Sequence, residues 1–170
     1  MTKFIALLRA VNVGGTGKLP MAELRAMAAR AGFSKVQTYI ASGNLVFESD
    51  ASEADVAAAL GGQLQAYAGK PVDVIIRTAD EMAGVLAENP FPNEAPSRTV
   101  AIFLPSKPLP DALAEIRHQT TEKIGLGNRE IYVAYGDTMG RSRLVIPTAG
   151  GGTARNINTV AALSKIATNL

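Results

Sequence analysis

From Phe4 to Arg77 the chain alternates between strand-like and helix-like hydrophobic periods, and that order constrains the fold more than any other feature. Phe4-Ile-Ala-Leu-Leu opens a continuous apolar run, the pattern of a buried strand, and the spacing predicts a strand over 3–13. Pro20 suits the first turn of a helix. Met21, Leu24, Met27, Ala28 and Ala31 then recur at helical spacing, and Gly32 suits the helix end. Val36 to Phe47 is two β-prone runs around Ser42-Gly43-Asn44, a hairpin signal. Ser52 and Asp55 stand at capping-box spacing before Val56, Leu60, Leu64 and Tyr67, with Gly61-Gly62 as the expected site of a bend. Val72 to Arg77 is the next strand. The order is β-α-β-β-α-β, the ferredoxin-like unit.

The second half repeats the order less cleanly. Thr78 to Glu88 reads as a helix with Thr78 and Glu81 forming a capping box. Asn89-Pro-Phe-Pro-Asn-Glu-Ala-Pro96 is rich in breakers. Strands are predicted over 98–104 and 129–135, with a helix over 111–121 between them. A weak strand is expected after Gly136-Asp137, then a short strand at Thr153–Asn156 and a helix from Asn158, capped by Asn158. The expected fold is α+β with two ferredoxin-like halves, the second degenerate. Its domains are expected at 1–90 and 97–170, with 91–96 as linker.

With 47% hydrophobic and 19% charged residues among 170, the composition is that of a globular chain. The absence of Cys excludes disulfides, thiolate nucleophiles, iron–sulfur clusters and Cys-ligated zinc. With one His and scattered carboxylates, no metal site and no cofactor is expected. No signal-like segment opens the chain and no apolar run is long enough to span a bilayer, so no membrane partner is expected and a cytoplasmic location is. The net charge of +2 is uneven. From Arg117 onward there are seven Lys/Arg against three Asp/Glu.

Four stretches carry a resemblance: Ala6-Leu-Leu-Arg-Ala-Val-Asn-Val-Gly-Gly15, Thr38-Tyr-Ile-Ala-Ser-Gly-Asn44, Gly140-Arg-Ser-Arg-Leu144 and Thr153-Ala-Arg-Asn-Ile-Asn-Thr-Val160. In this order they resemble a bacterial domain-of-unknown-function family. The resemblance implies a two-part α+β fold with ferredoxin-like plaits, and no established activity, cofactor or catalytic residue. Two departures stand out. Ile157 replaces the family's usual Trp, and the short segment 144–152, with Pro147 and three glycines, leaves little room for the helix the family carries there.

The polar groups define the candidate site. Gly14-Gly15-Thr16-Gly17-Lys18 fails the Walker A spacing and the dinucleotide fingerprint, which leaves a backbone anion nest or a plain glycine turn. Ser42 lacks the context of a nucleophile elbow, and His118 lies far along the chain on a predicted helix. Arg141, Arg143 and Arg155 with Asn156 and Asn158 form the most suggestive group, because guanidinium forks fit phosphate and carboxylate. The competing reading pairs Arg143 and Arg155 with acids and makes the asparagines helix caps.

The expected ligand residues are therefore Arg9, Asn12, Gly14, Gly15, Ser42, Asn44, Arg141, Ser142, Arg155, Asn156 and Asn158, facing a cleft between the halves. The expected ligand is a small anion containing phosphate or a nucleotide. One alternative is an enzyme of unknown reaction using Arg, Asn and Ser groups in the same cleft, with Ser42 or Tyr39 reactive. Another is an RNA-binding or assembly module. RNA ranks lower because the aromatic tandem of an RNA-recognition motif is absent and aromatics are only 5%. No oligomeric state follows from the sequence.

Overall fold

The computed structural model describes residues 1–12 and 18–170. It contains two four-stranded antiparallel sheets. By contact the chain forms two compact units, Met1–Met82 with Leu163–Leu170, and Ala83–Ala162.

In the first unit, β1 (Thr2–Leu8) is followed by α1 (Met21–Arg30), β2 (Ser34–Thr38), β3 (Asn44–Ser49), α2 (Glu53–Ala68) and β4 (Val74–Thr78). The sheet order is β2-β3-β1-β4. This is the expected ferredoxin-like order, with each helix crossing between strands that are not neighbours. One face of β1 and β3 presents Phe4, Ala6, Leu8, Leu45 and Phe47 to Leu24, Met27 and Ala28 of α1 and Val56, Leu60 and Leu64 of α2. Each large aliphatic side chain buried there contributes roughly 1.5–3 kcal/mol. Phe33 stacks on Phe47 with ring centroids 4.1 Å apart. The other face carries Ile5, Leu7, Val46, Ile75 and Arg77, which are also buried.

The local signals account for the helix ends. Ser52 Oγ accepts the Asp55 backbone N–H at 3.1 Å, and α2 runs unbroken through Gly61-Gly62 to a left-handed Gly69. The expected bend at the glycine pair does not interrupt the helix. Gly32, at φ 87°, ends α1, and Phe33 N–H reaches back to Ala28 O at 3.1 Å, a Schellman closure. Thr78 and Glu81 form the reciprocal capping box of α3 (Ala79–Ala87), at 2.9 and 3.1 Å.

In the second unit, β5 (Thr99–Phe103), β6 (Lys123–Leu126), β7 (Glu130–Ala134) and β8 (Thr153–Asn156) pair in the order β6-β7-β5-β8. The order repeats that of the first sheet. Both crossovers lack α-helices, and this is the degeneracy. The final helix α4 spans Ile157–Thr168.

Three expectations are corrected here. Residues 111–121 are not a helix: 110–115 form turns, and Arg117 pairs with Val145 in an isolated antiparallel bridge, with both N···O distances 2.9 Å. Thr148 Oγ1 also donates to Ala112 O at 2.9 Å. An isolated helix of this length is marginal, so tertiary pairing overrides its period. The strand expected after Gly136 is a 3-10 turn, Gly136–Thr138. The partner of β7 is β6 on its other side, closed by Gly127 N–H to Glu130 O at 2.8 Å. Lastly, α4 is capped by Asn156, whose Oδ1 accepts Thr159 N–H at 2.9 Å; Asn158 is exposed on the first turn. The helix expected to be lost from 144–152 is replaced by a 3-10 turn at Pro147–Ala149.

Candidate functional site

The residues picked from sequence fall into two groups, one in each unit. In the first unit, Asn12 leaves β1 with φ 54°, a left-handed conformation that Asn tolerates better than most residues. Its amide Nδ2 donates to Leu19 O and to Ala41 O, both at 2.8 Å, and its Oδ1 accepts Leu19 N–H at 2.7 Å. Asn12 thus ties the end of β1 both to the start of α1 and to the β2–β3 turn. Within that turn Asn44, fully buried, donates to Tyr39 O at 2.8 Å and to Ser42 Oγ at 2.9 Å. Gly43 sits at φ 90°, and a Cβ there would lie 2.6 Å from Val11 Cγ2. These contacts explain why the two motifs need Asn, Gly and Asn: they lock a strand end to a hairpin. Arg9 is partly exposed and pairs with Asp73 at 3.7 Å. Gly14 and Gly15 lie outside the described residues.

In the second unit the arginines separate. Arg155 lies on β8, is 7% exposed, and donates to Thr153 Oγ1 at 2.7 Å and Ala154 O at 3.0 Å. Burial lowers its pKa to about 10, so it stays charged at neutral pH. Asn156 is spent on the helix cap.

Arg141, Ser142 and Arg143 follow the 3-10 turn after β7. Together with His118, Thr120 and Thr138 they line a cavity of about 450 Å³. Arg141 and Arg143 are exposed. Arg141 Nη2 reaches only Asp137 O at 3.5 Å. Among the described residues neither guanidinium has a carboxylate partner. The competing reading, in which Arg143 pairs with an acid, does not hold among those residues.

The carboxylate bonded to the lining residues Ser142 and Thr120 is otherwise engaged. Glu122 is 3% exposed and accepts from Ser142 Oγ at 2.5 Å, Thr120 N at 2.7 Å and Thr120 Oγ1 at 3.1 Å. The Ser142 hydroxyl, then the backbone donors, hold its pKa at about 2. Glu122 is therefore fully ionised at neutral pH and hydrogen-bonded away from Arg141 and Arg143. Burial, and then the Glu122 charge, push the Tyr135 hydroxyl up.

Sequence reasoning singled out Arg141, Ser142 and Arg143 but missed His118, Thr120, Thr138 and Glu122. The sequence places His118 on a helix that does not form. No spacing rule links residues 118–122 to 138–143; the Arg117–Val145 bridge brings them together. Among the described residues no group of three or more His, Asp or Glu side chains could hold a metal ion, and no helix is long and apolar enough to cross a membrane.

The fold has a solved counterpart. The conserved bacterial protein SP0830 from Streptococcus pneumoniae is similar at a TM-score of 0.80, with 22% identity over 98% of each chain. That likeness speaks to the fold alone. No curated protein matches the chain. A family model described as a protein of unknown function, DUF1697, matches residues 1–132, a stretch that includes Arg9, Asn12, Ser42, Asn44, His118 and Thr120 and ends before Thr138. On that match, over most of its length, the chain belongs to the DUF1697 family.

Proposed function

We propose that the protein binds a small anionic ligand, of the phosphate-containing kind, in the cavity lined by His118, Thr120, Thr138, Arg141, Ser142 and Arg143. One observation carries this reading. Two guanidinium groups border a single cavity with no carboxylate partner among the described residues, while the buried carboxylate of Glu122 is bound to Ser142 and Thr120. Guanidinium groups present planar forks of donors that fit phosphate and carboxylate, and an unpaired pair of them favours an anion. His118 adds an imidazole, whose ring N–H is a further hydrogen-bond donor at the same cavity.

The same geometry argues against Ser142 as a nucleophile. A carboxylate held near pKa 2 is a weak proton acceptor, so Glu122 orients the hydroxyl without activating it. The arrangement favours binding over catalysis.

Calorimetric titration with a simple phosphate monoester, on the full chain and on the Arg141→Ala/Arg143→Ala variant, tests the reading. Binding by the parent chain and a loss of about tenfold or more per arginine is expected, since charge-assisted hydrogen bonds contribute about 1.5–3 kcal/mol. Equal affinity in parent and variant would overturn it.

A further inference from the structure

The hydroxyl groups of the cavity decide what else the ligand must carry. Thr120 Oγ1 and Ser142 Oγ both donate to the Glu122 carboxylate. Thr138 Oγ1 donates to Tyr135 O at 2.7 Å. An ionised carboxylate and a backbone carbonyl only accept, so each hydroxyl proton is committed to the protein. Ser142 Oγ takes one further N–H, from Leu144 at 3.3 Å. What remains on the three oxygens is acceptor capacity. The cavity therefore combines cationic donors on Arg141 and Arg143, and the imidazole of His118, with hydroxyl oxygens that can only accept.

A bare phosphate satisfies the first set and is repelled by the second, because its oxygens would meet lone pairs. A hydroxylated ester satisfies both. Its phosphate takes the guanidinium forks, and its hydroxyls donate to Thr120, Thr138 and Ser142. The volume of about 450 Å³ lies within the range of small-molecule sites and well above what a lone phosphate fills. Resting on the anion-binding reading above, we infer that the ligand class is a polyhydroxylated phosphate ester, such as a sugar phosphate or the ribose phosphate portion of a nucleotide.

The test compares ribose 5-phosphate, methyl phosphate and neutral ribose by calorimetry on the full chain. Ribose 5-phosphate is expected to bind about tenfold or more tighter than methyl phosphate, the difference that one or two added hydrogen bonds supply. Thr138→Val removes an acceptor and should narrow the gap between ribose 5-phosphate and methyl phosphate. Thr138→Ser keeps the acceptor and should keep the gap, and melting curves on both variants show that the fold survives. Equal binding of ribose 5-phosphate and methyl phosphate, with both lost in the Arg141→Ala/Arg143→Ala variant, would overturn the hydroxyl requirement and leave anion binding standing. Binding of neither phosphate, or of ribose as tightly as its phosphate, would overturn both.

Discussion

Ser142 donates its hydroxyl to the Glu122 carboxylate at 2.5 Å, joining two segments separated by twenty residues of chain. Glu122 is buried, yet it needs no cation. Two hydroxyls and the backbone N–H groups of Thr120 and Glu122 stabilise its charge. Through Glu122, two lining residues of the cavity that Arg141 and Arg143 border, Ser142 and Thr120, are held together.

Glu122 should make the second unit sensitive to acid. Its pKa falls from 4.5 in the unfolded chain to about 2 when folded. A depressed carboxylate contributes stability that is complete above the unfolded value and lost as pH drops toward the folded one. Stability should therefore decline between about pH 4.5 and pH 2, and Glu122→Gln should flatten that part of the profile. Urea unfolding at several pH values measures both; parallel profiles for parent and variant would discount the role of Glu122.

Asn12→Ala should lower stability by about 1–2 kcal/mol. It leaves Leu19 N–H, Leu19 O and Ala41 O without their partner and places Ala at φ 54°. Asn12→Gly relieves the backbone strain but not the lost bonds, so it should be the milder of the two. Denaturant midpoints of the pair separate the two contributions.

Gly43→Ala and Gly61→Ala should act in opposite directions. A Cβ on Gly43 meets Val11 Cγ2 at 2.6 Å and Leu8 Cβ at 2.9 Å, at a φ of 90°, and should destabilise by about 2 kcal/mol or more. A Cβ on Gly61 meets nothing within 4 Å on a helix, and should stabilise by roughly 0.5–1 kcal/mol. Thermal melts that shift the same way for both would contradict this account of α2 and the β2–β3 turn.

Arg155 and Arg143 should also part company. Arg155 is buried and bonded to Thr153 and Ala154, so Arg155→Ala should cost about 2 kcal/mol or more, with Lys restoring only part because the planar fork is lost. Arg143 is exposed and makes no hydrogen bond or ion pair among the described residues, so Arg143→Ala should change stability by less than about 0.5 kcal/mol. A large melting shift in Arg143→Ala would mean that this arginine supports the fold.

Elements with strong local signals were legible in the chain. The hydrophobic run of β1 and the helical spacing in α1 show in their own periods, and the Ser52 cap of α2 and the Thr78–Glu81 box are satisfied within three residues. Their order alone implied the ferredoxin-like sheet of the first unit, and the same order, weakened, implied the second. Residues 111–121 had a helical period but few turns to sustain it, so a distant bridge from Arg117 to Val145 outweighed it. β6 was missed because Lys123-Ile-Gly-Leu126 is too short to show a period, and only pairing with β7 makes it a strand.

The sequence by itself determined the chemistry on offer: arginines and hydroxyls, no thiol, one histidine. Which of them meet was decided by tertiary structure. Arg141 and Arg155 read as one basic group along the chain, yet one borders a cavity and the other is buried on β8. His118 and Thr120 join Arg141 and Arg143 because a two-residue bridge and one buried carboxylate hold the crossovers of β5–β6 and β7–β8 together. Local propensity acts over a few residues, whereas burial of a charge demands donors from wherever the fold can bring them.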